Sequence, residues 1–134
     1  MKKQPSFEAW EERASAALRR SPLWKSVVYR KAMYLYDLAW QDCDALKADF
    51  RGKAVASQLI RSVGSIAANL EESFGRGVQT PDSRRILRIA LGEAREARGW
   101  YLLSHHVLAD EIVEQRVALL DEIIRLLLTS IRQS

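Results

Sequence analysis

Ser65-Ile66-Ala67-Ala68-Asn69-Leu70-Glu71-Glu72-Ser73-Phe74-Gly75-Arg76, followed by Gly77 to Asp82 and then by Arg84 to Glu96, is the stretch that decides the fold. Apolar residues recur at threes and fours up to Phe74, the spacing of one helix face. Gly75 and Gly77 interrupt the pattern, and one of them is expected at the left-handed position just past a helix end. Thr80-Pro81 restarts the chain as N-cap and first helical residue, where the missing proline N–H costs nothing. From Arg84 onward Ile86, Leu87, Ala90, Leu91, Ala94 and Ala97 share one face. The stretch is a helical hairpin.

The same grammar extends in both directions. Ser6 is placed to cap a first amphipathic helix from Phe7 to about Arg20, and Ser21-Pro22 ends it and starts the next. From Leu23 to about Ala48 the residues Val28, Ala32, Leu35, Ala39, Cys43 and Leu46 form a buried stripe. Asp49 to Lys53, with Gly52, is expected as a polar connector, and the helix from about Ala54 to Phe74 buries Leu59, Val63, Ile66 and Leu70. The third long helix runs to about His106. The fourth starts near Asp110 and repeats Val113, Val117, Leu120, Ile124, Leu127 and Ile131.

No strand pattern occurs, so the expected architecture is all-α: an antiparallel up-down four-helix bundle over 23–134 behind a short N-terminal helical extension over 1–22. Two helices carry a doubled seam. Tyr29, Met33, Tyr36 and Trp40 run beside the first stripe, and Ile112, Leu119, Ile123 and Leu126 beside the last. Apolar surface wider than one seam predicts a homo-oligomer, with Tyr29, Met33, Tyr36, Trp40, Leu119 and Ile123 as its interface.

Bulk composition narrows the class. A chain of 134 residues with 48% hydrophobic and 28% charged residues, 3 prolines and 6 glycines is a helical globular domain and not a disordered one. Its single cysteine, Cys43, cannot close an internal disulfide, and the basic start at Met1 to Gln4 leads into a polar, acidic stretch instead of an apolar one. A cytoplasmic location is the expectation. No apolar run approaches the roughly 20 residues of a membrane span. The net charge of +4 is a mild bias towards polyanions such as RNA.

Residues arranged for catalysis are not evident. His105 and His106 are adjacent and diverge by about 100° on a helix, so they do not ligate one metal ion in the i, i+4 manner. Glu71 and Glu72 diverge likewise, and Cys43 lies on an apolar face where cysteine behaves as a small hydrophobe. Gly75-Arg76-Gly77 lacks the preceding strand of a phosphate-binding loop. The expectation is a non-enzyme with no cofactor, no metal and no small-molecule substrate.

Charge carries more information. Arg84, Arg88, Arg95 and Arg98 fall within a sector of roughly 80°, and none has an acidic residue at i±3 or i±4. They need either carboxylates from elsewhere, Glu71, Glu72, Glu93 or Glu96, or a phosphate backbone. Asp121 and Glu122, by contrast, both lie within reach of Arg125, so the last helix is expected to compensate its own charge. A second basic zone from Arg13 to Lys31 includes Arg30 and Lys31, with Trp24 and Tyr29 interleaved. These aromatics suit base stacking and bundle anchoring equally.

The hairpin resembles the signature of the four-helix-bundle proteins encoded in intervening sequences of 23S ribosomal RNA genes, roughly S-I-x-x-N-I-x-E-G-x-x-R, a turn, and an I-A-x-G-x-x-x-E helix. Ser65, Ile66, Asn69, Glu72 and Arg76 fall on that pattern, as do Ile89, Ala90, Leu91, Gly92 and Glu96. Ser73 stands where the pattern has glycine, so the helix is expected to run on to Gly75. The resemblance implies a bacterial, ring-like homopentamer without cofactor. It also implies kinship with the accessory variability determinant of diversity-generating retroelements, whose partners are nucleic acid and a reverse transcriptase. The motif residues Ser65, Asn69, Glu72, Arg76 and Gly92 are expected to be structural, with the Asn69 amide bonded to the turn after Gly75 or to the third long helix.

Overall fold

The computed structural model describes residues 4–133; Met1, Lys2, Lys3 and Ser134, which belong to the expected basic start and to the ends of the two expected segments, lie outside it. The described chain is all-helical: α1 (Phe7–Glu12), α2 (Ala16–Arg19), α3 (Val27–Lys47), α4 (Phe50–Gly75), α5 (Pro81–Leu103) and α6 (Asp110–Arg132). Single turns of 3-10 helix, Pro22–Lys25 and Ser104–His106, precede α3 and follow α5.

Local chemistry sets the boundaries. The Ser6, Ser26, Asp49 and Thr80 side chains each accept a backbone N–H of the first turn they cap, and Pro81 occupies the first turn of α5. The expected single helix from Phe7 to Arg20 is two, because Ser15 accepts from the Leu18 N–H and so starts α2 afresh. Pro22 opens a 3-10 turn instead of α3 itself, which begins after Ser26. The expected connector Asp49–Lys53 shrinks to Ala48 and Asp49. Gly52 lies inside α4, where a Cβ would stand 2.0 Å from the Leu46 carbonyl oxygen; glycine is required there by the close approach of two chain segments.

Each long helix packs on the next, and α6 packs back on α3. Leu35, Leu59, Val63, Ile66, Leu120, Ile123 and Leu127 are fully enclosed, and Ala90, Ala94 and Ala97 keep the inner face of α5 narrow enough for close packing. The N-terminal segment joins this core. Trp10 is buried against α3 and donates its indole N–H to Asp37 (2.7 Å), and the Tyr34 hydroxyl donates to the Pro5 carbonyl (2.7 Å).

One polar cluster penetrates the core. Asp42 on α3 and Arg116 on α6 form a buried ion pair, Nε to Oδ2 at 2.7 Å and Nη2 to Oδ1 at 3.0 Å, and the Tyr101 hydroxyl on α5 donates to the same Oδ2 at 2.7 Å. Arg116 also bonds to Gln115 and to Gln4 of the N-terminal segment. Burial, and then the Asp42 charge, pushes the Tyr101 phenol well above its usual range.

Candidate nucleic-acid interface and outer helix faces

The hairpin motif builds the turn between α4 and α5. Arg76 pairs with Glu72 (2.7 Å) one turn back and with Asp82 (3.0 Å) across the turn, and Asp82 also holds Arg85 (3.0 Å). Those contacts, Arg85 first, hold the Asp82 carboxyl below its usual range. Gly77, at φ +92°, supplies the left-handed residue that ends α4. Ser73 is buried and bonds to Ser83, 2.7 Å between hydroxyl oxygens and 3.1 Å to the carbonyl, so serine at this position ties the two helices together. Asn69 does not reach the turn or α5. Its amide donates to the Ser65 carbonyl on the preceding turn of its own helix, at 2.7 Å, because the half-buried side chain lies along α4. Ser65, Asn69, Glu72 and Arg76 thus have structural contacts, whereas Gly92 points outward and a Cβ there would meet nothing within 4 Å.

The six cations expected at a polyanion site divide. Arg30 pairs with Glu11 (3.2 Å) and lies over the Trp24 ring, tying the N-terminal segment to α3, and Lys31 pairs with Glu122 (2.8 Å) and lies over Phe7, tying both the N-terminal segment and α6 to α3. Arg98 pairs with Asp121 (2.7 Å). Arg84 donates to the Gln79 carbonyl (3.2 Å). Arg88 and Arg95 are exposed and form no ion pair among the described residues. The carboxylates offered to the stripe go elsewhere: Glu93 (3.3 Å) and Glu96 pair with Arg61 of α4, and Glu72 with Arg76.

The last helix does not compensate its own charge. Asp121 and Glu122 turn to α5 and α3, leaving Arg125 and Arg132 without an ion pair among the described residues. Sequence reasoning passed over both, because a carboxylate within reach on one helix is not committed to that helix.

The six residues expected at an oligomer interface also divide. Leu119 and Ile123 are buried by their own chain, and so is Tyr29, whose phenol is raised by burial and then by the neighbouring Glu71 carboxylate. Met33 and Tyr36 are half-buried, Tyr36 against Gly64. Trp40, in ring contact with Tyr36, is 62% exposed and forms a wall of a shallow groove with Cys43, Ala56 and Ile60. Burial raises the Cys43 thiol to about 11.

Among the described residues no cluster of His, Cys, Asp and Glu is placed to hold a metal ion, and no helix is long and apolar enough to cross a membrane.

The profile of the 23S rRNA-intervening sequence protein family matches residues 25–129, from the end of the first 3-10 turn almost to the end of α6. Among solved structures the chain is similar to a protein of unknown function from the S23 ribosomal protein family of Bacteroides thetaiotaomicron VPI-5482. The two are 27% identical with a TM-score of 0.69, over 78% of this chain and 98% of that one. No curated protein matches the chain.

Proposed function

The chain belongs to the 23S rRNA-intervening sequence protein family, and from that premise we propose that it is a non-enzymatic, homo-oligomeric, antiparallel up-down four-helix bundle that binds structured RNA through the surface where α5 meets α6. The supporting observation is that α6 gives up Asp121 and Glu122, the two carboxylates within reach of Arg125, to other helices and keeps Arg125 and Arg132 without an ion pair among the described residues. In an antiparallel arrangement the Arg98–Asp121 pair sets the register, so Arg125 falls level with Arg95 and Arg132 with Arg88, each within a residue. Asp121, Arg125 and Arg132 share one stripe of α6, and Arg84 is the member of the α5 stripe, after Arg98, that leans most towards it.

The resulting field is positive and carries no exposed aromatic ring; the large apolar side chains exposed on α5 are Ile89, Leu102 and Leu103. Single-strand binders present aromatic platforms to unstacked bases, whereas duplex RNA is held by its backbone and shape. Phosphate contact by guanidinium therefore favours folded RNA. The titratable groups with the most developed surroundings do not favour catalysis, since Asp42 is saturated by Arg116 and Tyr101.

Filter binding of a folded RNA across about 50 to 200 mM salt tests the reading. Each neutralised phosphate contributes roughly 0.7 to 0.9 to the slope of log affinity against log salt, so replacing Arg84, Arg125 and Arg132 by Gln together should lower that slope by about 2 to 3 with the assembled size unchanged. No retention of RNA by the unmodified protein at the lowest salt refutes it.

A further inference from the structure

Two outer faces of the chain hold residues that their own chain leaves unexplained. On α5 the centre of the outward face carries Gly92 and Gly99, one heptad apart, and a Cβ at either would meet nothing within 4 Å. Glycine inside a helix is unfavourable, and here no neighbour in the chain requires it. Arg88 and Arg95, also one heptad apart, flank Gly92 and lack ion pairs among the described residues. On α3 the complementary set appears. Trp40 stands 62% exposed between Asp37 and Asp44, again one heptad apart. Asp37 accepts the Trp10 indole N–H on one oxygen, and among the described residues Asp44 has one ion pair, with Lys47 at 3.2 Å, itself exposed.

The two sets fit in one register. When α3 of one copy lies antiparallel on α5 of another with Trp40 opposite Gly92, Asp37 comes opposite Arg95 three residues one way. Asp44 comes opposite Arg88 four residues the other way. Met33 meets Gly99 seven residues along. Both acid and both arginine spacings are about 10.5 Å along the axis, at 1.5 Å per residue. Large side chains come level with glycines, and the carboxylates, on one flank of the Trp40 line, come level with guanidiniums on the other flank of the seam whose long side chains reach across it; Lys47 and Arg85 are also brought level, each beside its own aspartate.

We propose that a second copy of this chain docks here: the Asp37-Trp40-Asp44 ridge of α3 inserts along the Arg88-Gly92-Arg95 face of its neighbour's α5. The inference rests on the homo-oligomeric part of the function proposed above and assigns the contact that makes the oligomer. Because α3 and α5 each pack on α4 and α6, their outer faces look in different directions. The contact is therefore heterologous, each copy using both faces, and it propagates into a ring or a filament. Arg88 and Arg95 belong to this seam, which leaves Arg84, Arg125 and Arg132 for a polyanion.

Mass photometry and sedimentation velocity on the full chain test it, with thermal melts by circular dichroism reporting folding. Asp44→Arg and Arg88→Asp should each weaken association by about tenfold or more, as like charges meet in the seam, and the double variant should recover most of that loss. Gly92→Leu, which has open space in the single chain, should leave the fold intact and dissociate the assembly. An unmodified protein that is a single chain at micromolar concentration overturns the seam together with the oligomer. An oligomer that persists in Gly92→Leu, or a double charge reversal that recovers nothing, overturns the seam alone.

Discussion

Replacing Asp42 by Asn is near-isosteric and removes one charge from the core. In the native chain the Arg116 guanidinium is almost fully buried, and among the described residues its only anionic partner is that carboxylate, held through two bonds of 2.7 and 3.0 Å. An isolated buried cation is costly, and removing one partner of such a pair typically costs about 3 to 5 kcal/mol. Tyr101→Phe is the milder control, because Asp42 keeps both bonds from Arg116 and a single charge-assisted bond is worth about 1.5 to 3 kcal/mol. Converting both ends, Asp42→Leu with Arg116→Met, should cost far less than Asp42→Asn alone, since no charge is then left behind. Urea titrations at one fixed protein concentration read these differences, and with a slope of about 2 kcal/mol per molar the Asn variant should lose about 2 M in its midpoint. A loss below about 0.5 M would show that water reaches Arg116 and that the pair does little for stability.

Two further outcomes follow from side chains with less at stake. Asp49 caps α4, and its bonds from the Arg51 side chain, then from the Gly52 and Arg51 backbone N–H groups, lower its carboxyl to about 2. A depressed folded value means stability that is complete above the unfolded value of 3.8 and lost as pH falls through about 2, so Asp49→Ala should flatten the acid limb of the stability profile between those values. An acid limb unchanged by the substitution removes the cap from the account. Asn69→Leu should cost less than about 1 kcal/mol by urea denaturation, because the Ser65 carbonyl it leaves already serves the helix and no buried group is orphaned; a loss of 3 kcal/mol would mean that the amide bonds across the hairpin after all.

Much of the fold is legible because its punctuation is local. Ser6, Ser21-Pro22 and Thr80-Pro81 act within three residues of themselves, and the left-handed glycine after α4 is required by a turn whose length is visible in the chain. What local reading mistakes is the meaning of a second apolar seam. Leu119 and Ile123 suggest a second subunit when α6 is considered alone, but a helix in a bundle touches two neighbours and needs an apolar stripe for each. Trp40, from the other doubled seam, is the residue its own chain leaves exposed.

Charge is the part that spacing along one helix does not decide. Asp121 and Glu122 can reach Arg125, yet they pair with Arg98 and Lys31, because a partner on another helix adds a tertiary contact where an exposed i, i+4 pair offers only a few tenths of a kcal/mol. The buried pair did leave a trace. Asp42 stands seven residues after Leu35 and four before Leu46, and Arg116 stands three after Val113 and four before Leu120, so each interrupts an apolar stripe with one charge, and the charges are opposite. Two such intruders on helices that share a core must find each other or go unsatisfied. The same reasoning, applied outward, separates the arginines of α5: Arg98, whose partner Asp121 is on α6, ties two helices together, whereas Arg88 and Arg95 have no ion pair among the described residues and, in the seam proposed above, take their carboxylates from a second copy.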